Sequence, residues 1–300
     1  MHVSVLGPGA VGSMFGGHLA RAGVDVTLVG RPGPHVDALN DGLRLTLPDG
    51  HTETVDVAVT TDPAAAAPAD VVLVCVKSYD TEDALSGARE LLADADVCTF
   101  QNGLGNAETI AEFVPRARVL AGTTSHGATL EAPGHVRHAG YGDTRVGRFF
   151  AENDDRVRAL ADALTNAGID TDVVADARAA VWEKVLVNVG INAATALARV
   201  PNGRLADTDA GTRLVQRAVR EAERVADAEG VDLSEDPVEV SLRVARETAA
   251  NHSSMYQDLD RDRKTEIDSL NGEIVGRGRD HGVETPVNET LTDLVRLAQQ

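Results

Sequence analysis

The chain predicts an α/β domain with a mostly parallel sheet, followed by an all-α domain, and three observations carry that expectation. Residues 3–29 run strand, glycine turn, helix, strand; the alternation of strand and helix persists to about residue 175; and from Asp176 through Gln300 the apolar periodicity is helical. The first observation is the most informative. Val3-Ser4-Val5-Leu6 leads into Gly7-Pro8-Gly9-Ala10-Val11-Gly12, which opens a helix ended by Gly23, and Val24 to Val29 follows as the next strand. In such a G-x-G-x-x-G turn the first glycine permits the tight bend, the second lets the backbone approach a pyrophosphate, and the third allows close helix-on-strand packing. The helix N-terminus then faces an anion, so this βαβ unit reads as a Rossmann-like dinucleotide site.

The end of the second strand reports on the nucleotide. An NAD site carries Asp or Glu there, about 20 residues past the glycines, to bind the ribose hydroxyls. This chain has Gly30-Arg31 instead, and Asp25 opens the strand at the opposite edge. A guanidinium at that corner suits a 2′-phosphate, so NADP(H) is the expected cofactor.

The remaining elements of the first domain follow in order. Pro34 to Asn40 reads as a short helix ended by Gly42. Leu43 to Leu47 and Glu53 to Val59 flank Pro48-Asp49-Gly50, the pattern of a hairpin at the edge of the sheet. Val71 to Val76 is wholly apolar, as in a parallel strand covered on both faces, and it delivers Lys77 to the carboxyl edge where ligands bind. Thr81 to Ala93 is helical. Val97 to Phe100 is a strand that delivers Gln101-Asn102-Gly103 to the same edge, although Asn-Gly by itself is an ordinary turn signal. Val119 to Thr124 continues the sheet, Gly134 to Phe149 gives short strands and turns, Asn153 to Ala167 is an amphipathic helix, and Ile169 to Val174 is a last strand. The change of period places a boundary at 175/176, giving a dinucleotide-binding domain over 1–175 and a helical substrate domain over 176–300, the latter broken near Pro201, Gly230 to Pro237 and Gly282 to Pro286.

Composition excludes several classes. With 28 Lys and Arg against 47 Asp and Glu, the net charge is −19, which argues against nucleic acid and anionic membranes as partners. The only lysines are Lys77, Lys184 and Lys264. Such an acidic, lysine-poor composition is the kind expected in salt-loaded cytoplasm, where molar salt shortens the Debye length to about 3 Å. Cys75 and Cys98 lie in apolar runs and read as buried thiols of a reducing compartment, not as nucleophiles. No signal peptide pattern opens the chain, so Met1 is expected to begin the mature, cytoplasmic protein. The histidines lack partners at ligand spacing, and no metal is expected.

The helical domain opens with the strongest chemical signal. In the run from Val181 to Thr195, Lys184, Asn188 and Asn192 are spaced four and four, hence on one stripe among apolar residues. A lysine in that setting is paired or lines a ligand site, whereas a snorkelling lysine with two core asparagines is the plainer alternative.

The glycine loop with Arg31, Lys77, Gln101-Asn102-Gly103, Trp182-Glu183-Lys184 with Asn188 and Asn192, Pro201-Asn202-Gly203, Asn251-His252-Ser253-Ser254-Met255, Gln257-Asp258, and Thr265-Glu266-Ile267-Asp268 with Asn271-Gly272 occur in that order along the chain. This series resembles the ketopantoate reductases, over essentially the whole length. The resemblance implies reduction of 2-dehydropantoate to (R)-pantoate with NADPH, a step toward pantothenate and coenzyme A. It implies that Lys184 donates the proton and that Glu266 serves near the cofactor ribose and the reaction centre. Asn188, Asn192, Asn202 and Ser254, with Asn251 beside them, match substrate-holding positions; Asn102 matches a residue touching both nicotinamide and substrate; Lys77 and Ala128 match cofactor contacts. Ser269 departs from the resemblance, since an aromatic is common there, and this bears on local packing. The expected partner is a small 2-oxo acid, with a homodimer left open. Two alternatives stand beside this expectation: a paralogue that reduces another branched 2-oxo acid, and an NADP-sensing regulatory protein that does no chemistry.

Overall fold

The computed structural model describes residues 1–299, which form two units: residues 1–101 together with Asn106–Ala180, and Asn102–Gly105 together with the chain from Val181 onward. The division falls within a helix, Ala177–Ala198, just beyond the expected boundary at 175/176.

In the first unit the elements run β1 (His2–Leu6), α1 (Ala10–Arg21), β2 (Asp25–Val29), α2 (Pro34–Leu39), β3 (Leu43–Thr46), β4 (Thr52–Val55), β5 (Ala58–Thr60), β6 (Val71–Val74), α3 (Thr81–Gly87), α4 (Arg89–Leu92), β7 (Asp96–Thr99), α5 (Asn106–Ile110), β8 (Val119–Thr124), β9 (Gly127–Ala132), β10 (His135–Gly140), β11 (Thr144–Arg148), α6 (Asp155–Asn166) and β12 (Thr171–Val173). The main sheet has the order β12-β11-β8-β7-β6-β1-β2-β5. From β8 to β5 every pairing is parallel, so the carboxyl ends of these strands share one edge. Strand order reverses between β1 and β6, and a reversal of that kind opens a ligand crevice. Val71 to Val74 are all buried, as a strand covered on both faces requires.

β3 and β4 form a hairpin, but not at the edge of the main sheet, and the strand expected over Glu53 to Val59 divides: Thr52–Val55 stays in the hairpin while Ala58–Thr60 is β5, the edge strand of the main sheet beside β2. β3 and β4 belong to a second sheet of order β4-β3-β10-β9, in which β3 pairs parallel with β10. Helix α1 accounts for this arrangement. Its adjacent glycines face different layers: a Cβ at Gly16 would lie 2.5 Å from Leu28 of the main sheet, and one at Gly17 would lie 2.8 Å from Leu43 of the second. A helix that is apolar and small on two faces can carry a sheet on each, which is why the hairpin joins the second layer and not the main sheet. The expected helix over 81–93 is interrupted at Ala88, whose φ of −114° and ψ of 19° separate α3 from α4.

The second unit is helical: α7 (Ala177–Ala198, whose first residues lie in the first unit), α8 (Gly203–Ala206), α9 (Asp209–Ala228), α10 (Pro237–Glu247), α11 (Ser254–Asp260), α12 (Asn271–His281) and α13 (Pro286–Ala298); the expected helical end at Gln300 lies outside the described residues. Proline opens α10 and α13, where a missing N–H costs nothing. Gly190 brings α7 close to α9, since a Cβ there would meet Val219 at 2.7 Å.

Candidate functional site

In the first unit the glycine loop joins β1 to α1. Gly7 has φ +97°, a left-handed conformation, and a Cβ on it would sit 2.7 Å from the Val76 nitrogen, so only glycine fits. Its N–H is fixed by the Val29 carbonyl at 2.9 Å, and Gly9 N–H by the Gly7 carbonyl at 2.8 Å. Gly12 likewise cannot carry a side chain, its Cβ position being 2.3 Å from the Gly7 carbonyl oxygen. Gly9 differs, for nothing lies within 4 Å of a Cβ built on it. No side chain caps the start of α1, and no acidic residue lies in its first turn. An open glycine at an uncapped, acid-free helix N-terminus fits a dinucleotide pyrophosphate and leaves N–H donors for it.

The neighbouring strand ends bring further groups to the same edge. Arg31, just past β2, is 86% exposed at its side chain and donates one bond to Asp80 at 3.1 Å. A single exposed ion pair contributes about 0–1 kcal/mol, so Asp80 orients the guanidinium without committing it. Lys77 follows β6, and Ala128 follows the carboxyl end of β8 at the start of β9, half-buried and opposite His138. Gln101 after β7 is structural: its amide donates to the Val76 carbonyl at 2.7 Å and to Thr81 Oγ1 at 2.8 Å, clamping two strand ends together.

Asn102 parts company with Gln101 and belongs to the second unit. Leu104 N–H donates to the Ser269 carbonyl at 2.9 Å, and Gly103, at φ +94°, passes so close that a Cβ would lie 2.4 Å from that carbonyl oxygen. This close approach also shows what stands where the resemblance leads one to expect an aromatic: Ser269 packs directly against the Asn102–Gly105 turn. Asn102 Nδ2 in turn reaches Glu266 Oε2 at 3.5 Å.

Glu266 is buried, and Lys184 retains part of its surface. Burial pulls the Lys184 ammonium from its ordinary 10.5 down to about 8, and the negative charge of Glu266 holds it from falling further. Asn188 is half-buried and Asn192 buried on the following turns of α7, whose rise of about 1.5 Å per residue spreads the stripe over roughly 12 Å. At its far end the Thr195 hydroxyl donates to the Asn192 carbonyl at 3.2 Å and bonds Ser253 Oγ at 2.9 Å. Ser253 is occupied as the cap of α11, accepting from Tyr256 N–H, whereas its neighbour Ser254 is exposed. Asn251 is exposed as well, and its carbonyl accepts from Asn202 N–H at 2.9 Å. Asn202 is turned inward: Nδ2 donates to Thr248 Oγ1 at 2.9 Å, and Oδ1 is buried without a partner.

The structure thus gathers Asn102, Glu266 and Lys184 at one end of the α7 stripe and Asn192, Asn202, Asn251 and Ser254 toward the other. Thr195 and Ser253, which tie α7 to the Ser254 segment, were not singled out from the sequence. Their signal was present, since a serine three residues before an N–H it can cap is recognisable once the start of α11 is known.

The family model described as ketopantoate reductase PanE/ApbA matches residues 3–150, and its C-terminal companion matches residues 176–299. A 2-dehydropantoate 2-reductase of Halobacterium salinarum is 52% identical over all of this chain and 99% of its own length. Among solved structures, a PanE/ApbA family ketopantoate reductase from Ralstonia eutropha is 38% identical with a TM-score of 0.90, covering 100% of this chain and 98% of that one. D-mandelate dehydrogenase in a ternary complex with NADH and anilino(oxo)acetate is 27% identical with a TM-score of 0.91, at the same coverage. The chain belongs to the ketopantoate reductase family.

Proposed function

We propose that this protein is an NADPH-dependent 2-dehydropantoate 2-reductase, and the observation that carries the reading is Lys184, half-buried on a stripe of amides and poised near pH 8 beside Glu266. The glycine loop would hold the pyrophosphate, with Arg31 at the 2′-phosphate and Lys77, Asn102, Ala128 and Glu266 as further cofactor contacts. When bound, NADPH supplies hydride to the C2 ketone of the substrate. Lys184 meets the negative charge that grows on the ketone oxygen and transfers a proton from Nζ to it, leaving a hydroxyl. A donor with a pKa near the working pH is both charged beforehand and willing to release its proton. Asn188, Asn192, Asn202, Asn251 and Ser254 are neutral groups that can orient the substrate carboxylate and hydroxyl without competing with the ammonium.

A second reading within the same chemistry has one specific support: the D-mandelate dehydrogenase likeness joins this fold to another 2-oxo acid and to NADH. Initial rates across 2-dehydropantoate and other branched or aromatic 2-oxo acids, each with NADPH and NADH at high KCl, decide between the two. The proposal expects the highest kcat/KM for 2-dehydropantoate with NADPH. A clear preference for another oxo acid supports the second reading, and dinucleotide binding without turnover of any ketone supports a sensor instead.

A further inference from the structure

Helix α2 begins three residues after Arg31 and carries His35, whose ring is wedged between the glycine loop and the β9–β10 turn. On one side Gly134 N–H donates to His35 Nδ1 at 3.0 Å. A backbone N–H can only donate, so Nδ1 holds the lone pair and the ring proton resides on Nε2. On the other side Nε2, which carries the ring proton, lies 3.1 Å from Ser13 Oγ and donates to it. Ser13, fully buried in the first turn of α1, donates its hydroxyl to the same Pro8 carbonyl at 2.9 Å and its N–H to the Gly9 carbonyl at 2.8 Å. The peptide carbonyls on either side of the open Gly9 position are therefore both held by Ser13, and Ser13 is held by His35.

We propose that His35 is a positioning residue for the dinucleotide loop: as a neutral ring it braces Pro8 and Gly9 through Ser13, and on protonation it releases the brace and weakens dinucleotide binding. The inference rests on the reading of the glycine loop as the dinucleotide site. Protonation places a second N–H on Nδ1, pointing at Gly134 N–H, so a hydrogen bond becomes a collision of two donors. Groups facing the ring from α1, the glycine loop and the β9–β10 turn are the uncharged Ser13, Pro8 carbonyl and Gly134 N–H. The ionisable groups flanking that turn are engaged among themselves, Glu131 with Arg137 and with His135 at 3.3 Å, and Asp37 of α2 is exposed. Burial lowers the His35 pKa below its ordinary 6.5, opposed only by the Pro8 carbonyl. A lowered folded value means that the brace is complete above pH about 6.5 and is lost as the pH falls through the lower, folded value.

The test is the Kd of NADP⁺ by calorimetry from pH 5 to 8 for the wild type, His35→Gln and Ser13→Ala, with kcat and KM measured in parallel. The ligand phosphate titrates equally in all three, so the ratio of profiles isolates the protein. The wild-type Kd is expected to weaken about tenfold more than that of His35→Gln on acidification, the scale of one lost hydrogen bond. Ser13→Ala, which cuts the brace on its other side, is expected to flatten the profile in the same way. The effect should appear in KM for the dinucleotide and not in kcat at saturation. Parallel profiles overturn the role of His35 alone, as does tighter wild-type binding in acid, which would make the ring a direct contact for phosphate. A wild-type protein that binds no dinucleotide at any pH removes the reading of the loop and this proposal with it.

Discussion

At the scale of single residues two cations, Lys184 and Arg31, make the proposed function testable. Lys184 titrates near 8 because burial disfavours its charge more than Glu266 restores it. If its ammonium is the proton donor, kcat should be level through neutral pH and fall above about 8, approaching tenfold per pH unit, as the donor loses its proton. A profile still level at pH 9.5 would show that the donor is another group. Arg31 reads differently, being exposed and held by one bond to Asp80. Arg31→Asp would place two carboxylates together where a 2′-phosphate is expected, and should lower NADPH affinity about tenfold or more while affecting NADH little. Equal losses for both cofactors would point to adenine stacking instead. The stripe of Lys184, Asn188 and Asn192 was legible because four-residue spacing is a property of the helix itself. That Asn202 turns toward Thr248 was not legible, since the fold and not the spacing decides which way a side chain faces.

At the scale of elements, the parallel sheet and the helical run could be read from period alone. The second sheet could not, because β3 reaches β10 of the β9–β10 hairpin across a distant stretch of chain, and pairing partners leave no mark in a local pattern. Nor could the clasp at the sheet margin. Arg148, at the end of β11, binds both oxygens of buried Asp96 at 2.8 and 3.0 Å, and also Asp154 at 2.7 Å, the residue that caps α6. One guanidinium thus joins β7, β11 and the start of α6. Asp96→Ala should lower stability by about 3–5 kcal/mol, because it leaves a buried guanidinium without its main partner. A chemical melt that loses less than about 1 kcal/mol would show that the clasp is dispensable.

At the scale of the whole molecule, charge and activity are the relevant properties. A net charge of −19 makes the compact chain repel itself, and salt screens that repulsion. Thermal melts should therefore rise from low salt to molar KCl, and a Tm that does not move would remove the halophilic reading of the composition. The glycine loop and the lysine stripe lie in different units. The most direct test of the central claim is the turnover of Lys184→Ala with 2-dehydropantoate and saturating NADPH at pH 7, with NADPH affinity measured alongside. The account predicts a kcat lower by about 10²–10⁴ with cofactor affinity little changed. A variant that melts several degrees lower yet turns over near the wild-type rate would make Lys184 a structural lysine and contradict it.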